Sequence, residues 1–136
     1  MPHVLEFQER HQYEDVLWGI PIPVVLRVGD QLVDLKVKLD TGSQYCVFER
    51  KWGEQLGLTI ETGRPQRMVG PTDQGFDTFG HEIIVEVLGF QVLSTVFFAK
   101  DPGFRRSVLG RVGWLNKFRL AVIDYDRHLY LSAYDE

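Results

Sequence analysis

Lys36-Val37-Lys38-Leu39-Asp40-Thr41-Gly42-Ser43 is the stretch that decides how this chain is read. Val33, Leu35, Val37 and Leu39 alternate with Leu32, Asp34, Lys36 and Lys38. That period of two is the pattern of a strand with one buried face. The strand runs directly into an aspartate on a tight turn. Asp-Thr-Gly alone says little, because ordinary residue frequencies place it by chance in about 3% of chains this long. An Asx-turn, in which the Asp40 carboxylate caps the amides that follow it, is the structural alternative.

Upstream, Gly29-Asp30 is a two-residue turn of hairpin type, preceded by Ile20-Pro21-Ile22-Pro23-Val24-Val25-Leu26-Arg27-Val28. The two prolines place the start of that strand at a sheet edge, since proline has no amide to give to a ladder. Residues 1–15 are polar and aperiodic, so residues 1–18 are expected to form an N-terminal arm and residues 19–136 the folded domain. Downstream, residues 49–56 suit a short helix closed by Gly57. Residues 70–80 are rich in Gly, Pro, Asp and Thr and are expected to form a long exposed hairpin tip. Strands are expected at 82–88 and 92–99, joined by Gly89-Phe90, then a polar loop at 100–103. A second short helix is expected at 112–118 and a closing hairpin from 120–124 and 128–131. Seven or so strands with two short helices in one domain suggest an all-β fold, a closed or partly closed barrel.

Composition narrows the function. The chain has 136 residues, 44% hydrophobic and 25% charged, which is a globular composition and the length of one domain. Fifteen Lys and Arg against nineteen Asp and Glu give a net charge of −4. A dedicated nucleic-acid binder needs a basic stripe to displace counterions, so no nucleic-acid partner is expected. Cys46 is the single cysteine, which rules out an intrachain disulfide and a multi-thiolate zinc site. His3, His11, His81 and His128 are scattered without ligand spacing, and neither a metal nor another cofactor is expected. The charge-free run 16–26 is eleven residues long and holds two prolines, too short to span a bilayer. With no apolar leader at the start, a cytoplasmic protein without a membrane partner is expected.

A second feature lies seventy residues beyond Asp40: Ser107-Val108-Leu109-Gly110-Arg111, followed by a possible short helix. Two hydrophobics, a glycine and an immediate helix resemble the second half of the aspartic-protease signature. Met68-Val69-Gly70-Pro71-Thr72-Asp73-Gln74-Gly75-Phe76 is similar to a retroviral protease flap. The order of these features over residues 19–132 resembles that of the retropepsin-like aspartic proteases. The closing segments Ala121-Val122-Ile123-Asp124-Tyr125 and His128-Leu129-Tyr130-Leu131 look more like the cellular and bacterial members than the viral ones.

The resemblance implies a closed acid-protease β-barrel with a flap hairpin, and hydrolysis of a peptide substrate by an aspartate pair that activates water. Asp40 is the catalytic candidate, and Asp124 and Asp101 lack a following Thr-Gly or Ser-Gly. One Asp-Thr-Gly per chain then implies a homodimer, with Asp40 and its symmetry mate on the two-fold axis. Thr41 would bond across the dimer, Gly42 would let substrate backbone approach, and Ser43 would donate a hydrogen bond to the Asp40 carboxylate. Leu109, Gly110 and Arg111 would support the dyad loop, while Gly70, Gly75 and Phe76 would belong to the flap. Gln44 stands where viral relatives carry an aspartate that pairs with the arginine, so Arg111 needs another partner: Gln44, a backbone carbonyl, or an acid elsewhere or in the second subunit. Val112 also replaces a common Asp or Asn. These departures leave open a catalytically silent dimerisation or peptide-binding module.

Overall fold

The alternation that marks 32–39 as a strand is realised as β3 (Gln31–Leu39), whose Val33, Leu35, Val37 and Leu39 are buried. It pairs antiparallel with β2 (Pro21–Val28) across the Gly29-Asp30 turn, in a register running from Pro21 opposite Lys38 to Val28 opposite Gln31. The computed structural model describes residues 1–70 and 72–135. Pro71, inside the expected flap, and Glu136, at the end of the expected domain, lie outside the described residues.

The remaining strands close a ring. β4 (Val47–Phe48) runs parallel to β7 (Phe90–Ala99), which pairs antiparallel with β6 (Gly75–Val87). β6 returns to β2 at Val25, Leu26 and Arg27. Pro21 and Pro23 fall outside that second pairing, as their missing amides require. β8 (Val108–Leu109) lies between β3 and β4, parallel to the first and antiparallel to the second. The ring thus passes through β2, β3, β8, β4, β7 and β6 and back to β2. Closure leaves few open sheet edges and seals a core that includes Ile22, Val24, Leu26, Phe48, Phe98 and Leu109.

Two appendages leave the ring. β5 (Arg64–Val69) pairs with the first half of β6, from Arg64 opposite Gly80 to Val69 opposite Gly75, forming a hairpin beyond the barrel. A separate three-stranded sheet is ordered β1 (Glu9–Gln12), β10 (His128–Ala133), β9 (Phe118–Ile123). The expected helix at 49–56 is α1 (Arg50–Gln55). Its Arg50 guanidinium binds both Glu61 oxygens at 2.7 and 2.8 Å. Among the described residues, no helix is long and apolar enough to cross a membrane.

Four expectations need correction. The N-terminal arm is not wholly aperiodic structure: β1 pairs with β10, and Tyr13 is buried with its hydroxyl donating to Asp124. A polar strand covered by a partner on only one side carries little alternation to read. The expected tip at 70–80 is much shorter, since Gly75 already begins β6 and Thr78 is fully buried. The turn between β6 and β7 is Leu88-Gly89, not Gly89-Phe90; both residues have positive φ, as a tight hairpin turn of this hand demands. The helix expected at 112–118 shrinks to a single 3-10 turn, Leu115–Lys117, because Trp114 is fully buried and Phe118 already enters β9.

Candidate active site

Asp40 follows the last residue of β3, where the strand leaves the ring. Its backbone amide donates to the Leu109 carbonyl at 3.0 Å, which ties the loop to β8. On the other side of the loop, the Arg111 amide donates to the Ser43 carbonyl at 3.0 Å and the Val112 amide to the Gln44 carbonyl at 2.7 Å. Residues 40–46 are therefore held from both ends by one short segment, 107–112, threaded between β3 and β4.

Gly110 makes that threading possible. A Cβ there would overlap the Tyr45 carbonyl oxygen and stand 2.7 Å from the Ser43 carbonyl oxygen. Only a residue without a side chain lets these backbones approach. The Gly110 amide points at the Cys46 sulfur, 3.4 Å away. Cys46 is fully buried, and burial pushes its thiol up to about 11, so it is an inert packing residue.

The Asp40 carboxylate faces a cleft of about 840 Å³. Its Oδ1 accepts the Gly42 amide at 3.1 Å, so the Asx-turn is present. Its Oδ2 lies 3.9 Å from Nη2 of Arg106. The other wall is the β5–β6 hairpin, including Met68, Gly70, Gly75 and Phe76. Phe76 stacks on Phe104 of the loop after β7, with ring centroids 4.7 Å apart and planes at 23°. This contact joins the hairpin to the loop that leads into β8. Arg67, also in the cleft wall, is engaged by Asp77 at 2.9 Å, which holds that carboxyl below the ordinary aspartate range.

Most of the residues singled out from sequence are thus gathered around one cleft: Asp40, Gly42 and Ser43 on its floor, and Gly70, Gly75 and Phe76 across from them. Thr41 is exposed beside them. Leu109 and Gly110 are buried beneath the loop as supports.

One role is not as expected, and another is narrowed. The Ser43 hydroxyl donates to the Tyr45 carbonyl at 2.7 Å rather than to Asp40. The turn that carries the Gly42 amide to Oδ1 leaves the serine oxygen nearer its own downstream backbone. The Arg111 side chain is exposed and has no hydrogen-bond or ion-pair partner among the described residues, Gln44 and their carbonyls included, which leaves an acid of a second subunit among the expected partners. The cation beside Asp40 is Arg106, which sequence reasoning missed. Its signal was the Arg105-Arg106 pair immediately ahead of the second motif. Among the described residues, no three His, Cys, Asp or Glu side chains assemble into a metal site. No family model matches the chain, and no curated protein sequence matches it.

Proposed function

We propose that this chain is a retropepsin-like aspartic endopeptidase that works as a homodimer. The observation that carries the proposal is the Asp40 loop: an Asp-Thr-Gly turn clamped by the 107–112 segment, with its aspartate lining a cleft whose other wall is a hairpin. Peptide hydrolysis by water needs a base to take a proton from water and an acid to protonate the carbonyl oxygen. Two adjacent carboxylates sharing one proton supply both, because like charges so close cannot both ionise, as in aspartic proteases generally. Such a pair titrates as a unit.

One protomer brings one such aspartate, so the second comes from a symmetry-related copy. The exposed Thr41 and Arg111 side chains are then available to that copy. The β5–β6 hairpin acts as the flap that closes over an extended peptide and excludes water. The lone cysteine, sealed in the core, suits a reducing compartment such as the cytoplasm.

A second reading keeps the fold as a peptide-binding or dimerisation module without turnover. It is favoured by the Ser43 hydroxyl, which is bonded to Tyr45 instead of Asp40, and by Arg106 beside the carboxylate. Denatured casein and a peptide library, incubated with wild type and Asp40→Asn over a wide pH range, separate the two. Cleavage by wild type alone, from a species that sediments as a dimer, is the expected outcome. Equal cleavage by both proteins, or a strict monomer at high concentration, would sink the peptidase reading.

A further inference from the structure

Beside the Asp40 cleft lies a second hollow of about 350 Å³, bounded by Trp18, Lys38, Arg105, Arg106, Ser107 and Val108. Arg106 and Val108 line both spaces, so the two open side by side. The ionisable side chains around the hollow are all cationic, in a chain whose net charge is −4. Among the described residues, neither Lys38 nor Arg105 has an acidic partner, and Arg106 has only Asp40, at 3.9 Å. Three cations around one small space repel one another, and an anion seated between them relieves that repulsion.

The backbone that carries the cations is held in place, and so is the stem of Lys38. The Lys38 amide donates to the Ser107 carbonyl at 3.1 Å, and Lys38 lies opposite Val108 in the ladder, which sets β3 against the Arg105-Arg106 segment. The aliphatic stem of Lys38 lies across Gly19, where a Cβ would stand 3.0 Å from its Cγ and Cε. Gly19 also has a φ of +140°, a conformation that side chains resist, so the lysine's track is kept clear. Trp18, half exposed, adds a flat apolar wall. Glu49 bonds the Ser107 hydroxyl at 3.4 Å, but its ion-pair partner is Lys51 and none of the three cations around the hollow.

Resting on the peptidase reading above, we infer that this hollow is a specificity pocket that accepts the carboxylate side chain of an Asp or Glu residue next to the bond being cut. A short acidic side chain projecting from a peptide laid across Asp40 would meet Arg106, which lines both spaces, with Lys38 in the wall of the hollow. The same cations offset the repulsion between that acid and the Asp40 carboxylate.

The test uses the full chain and end-capped peptides, so that no terminal carboxylate can stand in for a side chain. Each position is varied among Glu, Gln, Leu and Lys. Cleavage is measured with ordinary peptides and binding with reduced-amide versions that cannot be cut. Glu should be preferred over Gln by about tenfold at one position, the scale of two partly exposed ion pairs, and the preference should shrink at high salt. Lys38→Glu should abolish or reverse that preference, with circular dichroism and melting checking that the variant folds. The salt series on wild type needs no variant at all. Cleavage or binding with no preference for Glu over Gln overturns the pocket and leaves the peptidase reading standing. Glu-selective binding without any cleavage supports the pocket and overturns the peptidase. Neither binding nor cleavage of any peptide overturns both.

Discussion

Gly110→Ala tests whether the Asp40 loop is really clamped by the threaded 107–112 segment. The added methyl would overlap the Tyr45 carbonyl oxygen and lie 2.7 Å from the Ser43 carbonyl oxygen, far inside ordinary packing distance. Both obstacles are backbone, so neither can rotate away. Overpacking of this sort costs about 1–3 kcal/mol. Relief requires separating the strands that carry Arg111 to Ser43 and Val112 to Gln44, and each such hydrogen bond contributes about 1 kcal/mol. The expected loss is about 3–5 kcal/mol, a large part of the stability of any small domain. With unfolding entropy scaled to the chain's 136 residues, melting should fall by about 10–17 °C. Urea unfolding followed by tryptophan fluorescence suits the measurement because Trp114 is fully buried. Gly70→Ala is the comparison, since its Cβ would meet nothing closer than 3.6 Å, and it should change stability by less than about 0.5 kcal/mol. A Gly110→Ala protein within about 1 kcal/mol of Gly70→Ala, at unchanged urea slope, would refute the clamp.

The remaining predictions concern the β5–β6 hairpin, proposed as a flap, and the acid limb of stability. Phe76→Ala removes the stack on Phe104 and should cost about 1 kcal/mol in urea unfolding, with kcat/KM for peptide cleavage falling at least about tenfold. Phe76→Leu should recover stability before activity, and full activity in Phe76→Ala would argue against the hairpin as a flap. The Arg50 guanidinium holds the Glu61 carboxyl down at about 2, below the ordinary glutamate value of 4.5. A depressed carboxylate contributes stability that is present above the unfolded value and is lost as pH falls from about 4.5 toward 2. Glu61→Gln should therefore flatten the melting temperature over that window relative to wild type. Parallel wild-type and variant curves from pH 5 to 2 would contradict the ion pair's role.

The parts of the fold visible in the chain are those whose pattern is local. Val33, Leu35, Val37 and Leu39 declare β3 because each residue's side is set by its immediate neighbours. Gly57, with φ +83°, marks the end of α1 for the same reason. β1 escaped notice because Glu9-Arg10-His11-Gln12 is strand only by virtue of pairing with residues 128–131, more than a hundred positions away. The hairpin tip was overestimated because Gly75 and Gly80 look like loop residues. In the structure Gly80 is buried in β6, where an added Cβ would press on the Phe97 ring at 2.8 Å.

The amino-acid sequence by itself determined that an alternating strand ends in Asp40-Thr41-Gly42, that a second apolar-glycine motif follows at Val108-Leu109-Gly110, and that one such aspartate exists per chain. Only the tertiary structure decided that these motifs interlock, with β8 laid between β3 and β4, and with the Leu109 carbonyl and the Arg111 and Val112 amides holding the Asp40 loop. It also decided which side chains serve the carboxylate: the Ser43 hydroxyl went to Tyr45, and the nearby cation is Arg106 rather than Arg111. The physical reason is one of range. Alternation and turn preference are written between adjacent residues, whereas the clamp on the loop and the approach of Arg106 to Asp40 join segments more than sixty positions apart, which only folding brings together.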